Sequence, residues 1–425
     1  MQKDEIIEGI KTGLLKVRLA EVYADDGRFD YQTARYITAI EKFAMLYGDG
    51  DISVFSAPGR VELVGNHTDH QHGKVIAAAI NRDLIVVVKK TEDNTVRIIS
   101  GESSEITVSL DALEMNSGEE GTTVALVKGI LTGFRDMGYT IGGFEAYVTS
   151  DVPVGSGLSS SAAFETAIGN ILSGLYNDSR VTDKEIAVIG QIAENIFFGK
   201  PCGLMDQMAC SVGSLVYIDF ACPADPKVEK LEYELNDLGY KICVTDTRAS
   251  HENLTAEYAQ IPAEMKSVAA CFEKGFLNDV TREEFNGAIS SVREKCSDRA
   301  VLRAMHFFDE NERVEMEVKA IKGNNLGNFL KNIKDSGDSS YKLLQNIYVG
   351  NGENGEPISV ALAISEEILN QTGAVRVHGG GFAGTILAIV PEEKSEKYKE
   401  AMDGLFGKGA CNILRIRKFG GVKVI

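Results

Sequence analysis

A turn rich in glycine and serine, placed between a predicted strand and a predicted helix, constrains this chain more than any other segment. Phe144, Ala146 and Val148 alternate with polar residues, as in a strand, whereas the apolar residues from Phe164 to Leu175 recur at helical spacing. The turn from Pro153 to Ala163 joins the two. Its glycines allow backbone N–H groups to approach an anion, its hydroxyls can bind oxygens or a magnesium ion, and the following helix adds its positive N-terminal end. The turn therefore predicts a phosphate-binding loop, with an ordinary turn and a serine helix cap as the alternative.

The loop is not of the Walker type, because no Gly-Lys pair in the chain is followed by serine or threonine. A second glycine-rich segment, Val377–Gly384, satisfies the G-x-G-x-x-G pattern, and Asp403 follows about 20 residues later, as in a dinucleotide-binding fold. An apolar, strand-like run ending at Pro391 follows this segment, whereas the dinucleotide fingerprint opens a helix. We therefore interpret Val377–Gly384 as the turn of a strand-turn-strand element.

The rest of the chain indicates a mixed fold. With 425 residues, of which 44% are apolar and 25% charged, the chain can bury a large core. Residues 1–50 combine charged and apolar residues at helical spacing and predict a helical lead-in. Residues 54–90 are rich in β-formers, with a loop rich in glycine and histidine at residues 65–73. Later segments are predicted to be mainly helical up to about Leu369, after which a β pattern returns, so we expect an α+β protein of two domains.

The polar stretch around Pro223 and Pro226 is the expected boundary, which gives domains at residues 1–220 and 221–425. The formal charge of -18 opposes binding to nucleic acid and to anionic membranes. No segment approaches the roughly 18 apolar residues of a membrane helix, and the first residues lack the apolar core of a secretion signal, so we expect a cytoplasmic protein. The seven cysteines are scattered without a C-x-x-C pair, which favours free thiols over disulfides or zinc.

Two further segments accompany the phosphate loop in a fixed order. Ala57–Asp69 precedes the loop and reads Ala-Pro-Gly-Arg-Val-Glu-Leu-Val-Gly-Asn-His-Thr-Asp, and Val377–Gly384 follows it. In this order the three segments resemble the motifs of the GHMP small-molecule kinases, and Ala57–Asp69 is similar to the signature of the galactokinases in particular. Three more segments between them also resemble galactokinase segments, namely Ala193–Asn195, Pro201–Gln207 and His251–Tyr258. The resemblance spans residues 54–390.

The resemblance implies the two-domain fold of the GHMP kinases. In that fold an N-terminal domain similar to domain 2 of ribosomal protein S5 precedes a ferredoxin-like C-terminal domain, and the active site lies between them. The resemblance also implies phosphorylation of a galactose-type sugar at the anomeric C1 hydroxyl, with ATP and Mg²⁺ as cofactors. We expect a monomer or weak dimer whose partners are the sugar and ATP, with no nucleic acid and no membrane.

Phosphoryl transfer passes through a loose transition state, so a kinase mainly positions its reactants and neutralises charge on the moving group. Arg60 is the candidate cation, since its planar fork suits phosphate oxygens; the alternative is a surface arginine paired with Glu62. By resemblance, Arg60 matches the arginine beside the transferred group, and Asp206 matches the aspartate that faces the C1 hydroxyl. Whether Asp206 removes the proton or only orients the hydroxyl is left open.

The nucleotide and metal sites are likewise implied by the resemblance. Magnesium prefers few protein oxygens and keeps water and phosphates as its other ligands. Ser161 and Glu194 match the metal ligands of the family, although a glutamate on a helix is more often simply solvated. The residues that match the phosphate-binding positions are Gly155, Gly157, Leu158, Ser159, Ser160 and Ser161.

The sugar-binding positions contain one departure from the family. His67, Asp69, Gly203 and Tyr258 match residues that contact the sugar, but Asn66 stands where galactokinases have a glutamate that accepts a hydrogen bond from the C6 hydroxyl. This change removes a negative charge from beside C6, and an amide can donate to an oxygen, so a C6 carboxylate becomes tolerable.

Galactose is therefore the first expectation, and galacturonate or another C6-altered sugar is the alternative. A second alternative is a non-catalytic protein that senses sugar and ATP. The presence of the four residues expected to carry the chemistry weighs against this alternative: Arg60, Ser161, Glu194 and Asp206.

Overall fold

The structure is a computed structural model that describes residues 1–23, 26–153, 155, 157–249, 254–350, 355–382 and 384–425. Within these described ranges, two β-sheets, one of eight strands and one of four, form the framework. The eight-stranded sheet contains β1 (Ile52–Val64), β2 (Lys74–Lys90), β3 (Thr95–Ser100), β4 (Ile106–Ser109), β5 (Phe144–Ser150), β6 (Leu215–Asp219), β7 (Lys227–Leu231) and β12 (Val422–Lys423). The four-stranded sheet is antiparallel and contains β8 (Tyr240–Asp246), β9 (Ala374–His378), β10 (Thr385–Pro391) and β11 (Cys411–Leu414).

Thirteen α-helices cover the sheets in the described ranges. Those before β8 are α1 (Lys3–Lys11), α2 (Lys16–Tyr23), α3 (Phe29–Tyr47), α4 (Thr123–Asp136), α5 (Ser160–Tyr176), α6 (Asp183–Ile192) and α7 (Met205–Val212). Those after β8 are α8 (Thr255–Ala270), α9 (Arg282–Lys295), α10 (Asp298–Lys322), α11 (Leu326–Ser339), α12 (Pro357–Leu369) and α13 (Glu392–Phe406). None of the helices in the described part of the chain is long and apolar enough to cross a membrane.

Several predictions of local structure are confirmed. The lead-in is helical, as α1 to α3, and the segment Val377–Gly384 is the turn between β9 and β10. The seven cysteines, all in described parts of the chain, are free. One prediction is wrong: β6, β7 and β8 lie between residues 215 and 246, where a mainly helical segment was expected. These strands are short apolar runs, and periodicity alone cannot separate such a run from a piece of buried helix.

The larger sheet is covered on both faces. Side chains of β2 alternate between the faces, so that Val86 and Val88 pack with α4, α5 and α6, whereas Ile85 and Val87 pack with the lead-in helices. The lead-in is therefore one layer of the fold, because it buries an apolar face that would otherwise meet water.

β2 changes its partner strand along its length. The second half of β2, Leu84–Lys90, pairs with β5, whereas Lys74–Ala78 pairs with β6. Beyond this change of partners, Val61 and Leu63 of β1 share a core with Leu387 of β10 and with apolar residues of α10 and α11. The loop between β1 and β2 consequently lies where the two sheets meet.

A buried carboxylate fastens the lead-in to the larger sheet. Asp83 on β2 is 0% exposed and accepts hydrogen bonds from Tyr23 at 2.7 Å, from Arg417 at 3.2 Å and from Ser56. Arg35 of α3 also binds this carboxylate. Burial alone would raise the pKa of Asp83, but the guanidinium groups of Arg35 and Arg417 outweigh it and hold the pKa below its usual value.

We expect Asp83→Asn to destabilise the protein by about 3–5 kcal/mol, because the substitution takes the paired carboxylate away from the buried guanidinium of Arg417 and leaves Arg35 with Asp151 alone. Urea unfolding followed by circular dichroism measures the change. Asp93→Asn is the matched control, since the Asp93–Arg97 pair is solvent-exposed and should change stability by less than about 1 kcal/mol. Equal effects of the two substitutions would contradict the role assigned to Asp83.

Candidate active site

Three segments that are distant in sequence meet where the two sheets approach each other. The backbone N–H of Arg60 on β1 donates to the carbonyl of Leu158 at 3.1 Å. A Cβ on Gly59 would lie 2.6 Å from that same carbonyl oxygen, and a Cβ on Gly157 would lie 2.5 Å from Oγ1 of Thr385. Glycine at these two positions therefore permits the phosphate loop to pack against β1 on one side and β10 on the other.

The backbone of the phosphate loop explains its glycines. The φ angle is +76° at Gly155 and +71° at Gly157, in the left-handed region that favours glycine, and Ser159 before α5 is also left-handed at 58°. Val154 and Ser156, which belong to the predicted loop, lie outside the described residues. The loop thus turns sharply from β5 into α5.

The loop leads directly into the N-terminus of a 17-residue helix, which begins at Ser160 and continues with Ser161. The first N–H groups of such a helix carry partial positive charge and favour an anion. The hydroxyl of Ser159 donates to Asp206 and makes no capping hydrogen bond to α5. The simpler alternative of a serine helix cap is therefore wrong for Ser159.

Arg60 and Asp206 form a bidentate pair at the centre of the site. Nε of Arg60 donates to Oδ1 of Asp206 at 2.7 Å, and Nη2 donates to Oδ2 at 2.6 Å. The remaining nitrogen, Nη1, donates to the carbonyl of Gly157 in the phosphate loop. Arg60 is only 6% exposed, and Glu62 pairs with Arg376 at 2.9 Å, so Arg60 is not a surface arginine paired with Glu62.

The environment of Asp206 keeps it ionised. Burial alone would raise the pKa of Asp206, but the charge and hydrogen bonds of Arg60, together with the hydroxyl of Ser159, hold the pKa below its usual value. At neutral pH the carboxylate is therefore a hydrogen-bond acceptor rather than a strong base.

Hard oxygen donors converge beside the start of α5. Oγ of Ser161 donates to Oε1 of Glu194 at 3.3 Å, and Glu194 is only 3% exposed, so the alternative of a solvated helical carboxylate is wrong. Nε2 of Gln207 donates to Oε2 of Glu194 at 2.8 Å and to Oε2 of Glu165 at 3.0 Å. Within the described residues no group of three or more His, Cys, Asp or Glu side chains could hold a metal ion. One hydroxyl and one carboxylate fit an ion that keeps water and phosphate as its other ligands.

The loop between β1 and β2 holds three of the predicted sugar-binding side chains, those of Asn66, His67 and Asp69. His67 Nδ1 lies 3.3 Å from Nε2 of His70, and burial lowers the pKa of His67 to about 4. The backbone N–H of His70 donates to Oδ1 of Asp69 at 2.8 Å. Burial and the nearby charge of Asp206 raise the pKa of Asp69 to about 6. Gly203 lies against this carboxylate, since a Cβ there would fall 1.7 Å from Oδ2 of Asp69.

The turn between β9 and β10 contacts the predicted sugar-binding residues through its backbone. Three successive carbonyl oxygens contact three of the predicted side chains. The pairs are Gly379 with Nδ2 of Asn66 at 2.7 Å, Gly380 with Nε2 of His67 at 3.1 Å, and Gly381 with Oη of Tyr258 at 2.8 Å. His251 and Ala383, which also belong to the motifs quoted above, lie outside the described residues.

Asn66 is fully enclosed, with 0% exposure. Its Nδ2 donates to the two carboxylate oxygens of Glu62, at 3.0 and 3.3 Å, and to the carbonyl of Gly379. Its Oδ1 accepts from Asn346 at 2.9 Å and from Ser340 at 3.3 Å. Both hydrogens of the amide are therefore used within the protein.

Some residues of the site carry no role in the sequence prediction. Gln207 bridges the carboxylates of Glu165 and Glu194, and Arg376 pairs with Glu62. The sequence could have indicated Glu165 as a functional residue, because it is a single carboxylate among the apolar and small residues at the start of α5. No local sequence pattern indicates the pairing of Arg376, since its partner Glu62 is 314 residues away in sequence.

The fold and the site define the class of protein. Residues 125–214 match the pattern that describes the GHMP kinases N terminal domain, and residues 41–90 match the galactokinase galactose-binding signature. The structure of a mevalonate kinase from Methanococcus jannaschii superposes with a TM-score of 0.60 at 18% identity, covering 86% of this chain and 99% of that one. This likeness reflects the fold shared by GHMP kinases.

Full-length comparisons identify the family within that class. A galactokinase of Clostridium tetani is 30% identical over 375 residues, which are 87% of this chain and 91% of the relative, and one of Streptomyces coelicolor is 28% identical over 89% and 95%. The structure of Lactococcus lactis galactokinase complexed with galactose superposes with a TM-score of 0.78 at 26% identity, covering 92% and 100%. The chain belongs to the galactokinase family, whose members are ATP-dependent sugar kinases.

We expect Gly203→Ala to lower kcat/KM for the sugar by about 10²-fold or more while leaving KM for ATP nearly unchanged, since a small misplacement at an active site has effects of this size. The added methyl group would collide with Asp69 and displace it, whereas the phosphate loop is untouched. Coupled ADP-release kinetics measure both constants. Gly239→Ala serves as control, because nothing lies within 4 Å of a Cβ there, although its φ of +76° adds a small strain. A normal sugar KM in Gly203→Ala would contradict the contact.

Proposed function

We propose that this chain transfers the γ-phosphoryl group of ATP to the C1 hydroxyl of a galactose-type sugar. The observation that carries the proposal is the position of Arg60, which binds the phosphate loop through Gly157 and the predicted sugar-facing carboxylate of Asp206. A single buried cation is thereby held between the donor and acceptor positions, where phosphoryl transfer needs positive charge.

The residues fit distinct roles in this reaction. The phosphate loop and the N-terminus of α5 bind the nucleotide phosphates, and Arg60 stabilises negative charge on the phosphoryl group. Asp206 accepts a hydrogen bond from the C1 hydroxyl and orients it. Ser161 and Glu194 would hold Mg²⁺, which neutralises phosphate charge when bound. The predicted cytoplasmic location and the monomeric or weakly dimeric state belong to the same proposal and stay predictions.

The surroundings of Asn66 favour a sugar with an uncharged C6 group. The carboxylate of Glu62 contacts Asn66, so a negatively charged group still lies directly behind the side chain that is predicted to face C6. An amide that donated to a C6 carboxylate would first have to give up Glu62 or Gly379. Galactose is therefore preferred over galacturonate in this proposal.

A kinetic panel tests the proposal. ADP release is measured with galactose, galacturonate and other C6-altered sugars at saturating Mg·ATP. A kcat/KM for galactose above that for galacturonate supports the proposal, and the reverse order shows a uronate kinase. Binding of sugar and ATP without turnover on any sugar would show a sensor instead.

The pair Asn66 and Glu62 yields a sharper prediction. Asn66→Glu places a second carboxylate against Glu62, with Arg376 as the nearby cation, and should destabilise the protein by about 3 kcal/mol or more. The double variant Glu62→Asn/Asn66→Glu removes the repulsion and should recover most of that loss. Thermal unfolding gives the stabilities.

The double variant also tests the sugar contact. If Asn66 faces C6, the double variant should raise the ratio of galactose to galacturonate kcat/KM by about tenfold or more, because like charges in a desolvated site cost several kcal/mol. An identical ratio in wild type and double variant would show that residue 66 does not contact C6.

The raised pKa of Asp69 predicts a pH dependence. With a pKa of about 6, Asp69 is ionised above that pH and protonated below it. We expect kcat/KM for the sugar to fall by about tenfold below pH 6, since the hydrogen bond to a charged acceptor is lost. His67 does not produce this inflection, because its pKa of about 4 keeps it neutral there. In Asp69→Asn the profile should be flat across pH 5–7; an unchanged inflection would assign it to another group.

A further inference from the structure

Lys200 covers the solvent side of the predicted metal ligand. Its Nζ donates to Oε1 of Glu194 at 2.8 Å, and the same oxygen accepts from Oγ of Ser161 at 3.3 Å. The side chain of Lys200 is 61% exposed, whereas that of Glu194 is 4% exposed. A solvent-exposed, charged group thus covers a buried carboxylate at the edge of the predicted phosphate site.

The backbone fixes these two residues relative to each other. Ala193–Phe197 forms a single π-helical turn, a feature that often marks functional sites, and it carries Glu194. Gly199 follows with a φ of +81°, and the backbone N–H of Lys200 donates to the carbonyl of Glu194 at 3.0 Å. The backbone of Lys200 is therefore fixed relative to Glu194, and its side chain reaches Oε1 of Glu194 from the solvent side.

The two oxygens of Glu194 are not equivalent. Oε2 is held by Gln207, whose Nε2 also binds Glu165, so that oxygen is fixed from inside the protein. Oε1 is the oxygen shared by Ser161 and Lys200. A divalent cation that bound Ser161 and Glu194 would compete with the ammonium group for Oε1, because two cations repel each other at such short range.

We propose that Lys200 is a further phosphate-binding residue of this site, an inference that rests on the proposed kinase function. In the nucleotide-free protein its ammonium group neutralises Glu194. When a divalent cation and ATP bind, Lys200 releases Glu194 and binds the γ-phosphoryl oxygens. The compact charge and flexible stem of lysine suit such a movement, and lysine binds phosphate as a point charge in other nucleotide sites.

Nucleotide and metal binding test this proposal without any sugar. Calorimetry with ADP and with the ATP analogue AMP-PNP, both in Mg²⁺, is compared for wild type, Lys200→Met and Lys200→Arg. In Lys200→Met we expect AMP-PNP to bind about tenfold more weakly, with ADP changed less than about twofold, since only AMP-PNP carries a γ-phosphoryl group. Lys200→Arg should recover part of the AMP-PNP affinity.

Metal binding tests the other half of the movement. Binding of Mn²⁺ to the nucleotide-free protein is measured from the decrease in the electron paramagnetic resonance signal of free Mn²⁺. Lys200→Met should bind Mn²⁺ about threefold more tightly or better, because a competing cation is gone. Lys184→Met is the matched control, since Lys184 forms a solvent-exposed pair with Asp225 and should behave as wild type in every assay.

Two results would overturn the proposal. An unchanged ratio of AMP-PNP to ADP affinity in Lys200→Met contradicts the phosphate contact, and unchanged Mn²⁺ affinity contradicts the competition at Glu194. If the proposed sugar phosphorylation itself failed, wild type would turn over no sugar, yet the nucleotide and Mn²⁺ assays would still give their own answer.

Discussion

The bidentate pair between Arg60 and Asp206 is the interaction on which the geometry of the site depends. Arg60 comes from β1, Asp206 from α7 and Gly157 from the phosphate loop, and one guanidinium group binds the last two. The guanidinium of Arg60 is buried and Asp206 is partly exposed, and such a pair contributes little net stability because desolvation offsets the attraction, whereas loss of the carboxylate would leave Arg60 buried and unpaired. Its value here is geometric, since the planar fork fixes the carboxylate and the loop in a single arrangement.

A second polar network holds the loop between β1 and β2 against the smaller sheet and α10. Arg376 of β9 reaches across to Glu62 and to the carbonyl of Leu63, and Glu310 of α10 accepts from the backbone N–H of Gly65. Burial alone would raise the pKa of Glu310, but the charge of Arg313 outweighs it and lowers the pKa to about 2. Because each of these groups is buried and paired, the loop cannot shift without leaving a charge unsatisfied.

Sequence patterns predicted the features that depend on neighbouring residues. They did not predict contacts between residues that are far apart in the chain. The phosphate loop, the helical lead-in and the turn between β9 and β10 follow from periodicity and glycine placement over a few residues. The strands β6 to β8 were missed because short apolar runs look alike in strands and helices. The enclosure of Asn66 could not be predicted, since its partners Ser340 and Asn346 are 274 and 280 residues away.

The pKa of Asp206 bears on how the C1 hydroxyl is activated. General base catalysis is most efficient when the pKa of the base lies near the working pH, whereas Arg60 and Ser159 hold the pKa of Asp206 below its usual value. Such a carboxylate is ionised but weakly basic, so it can orient a hydroxyl better than it can remove a proton from it. A loose transition state builds little bond order to the attacking oxygen before the phosphoryl group has left its donor, and early deprotonation is then unnecessary. Under the proposed function, the pairing that positions Asp206 also limits its chemistry: Asp206 would orient the hydroxyl, and Arg60 would supply the positive charge that the transferred phosphoryl group needs.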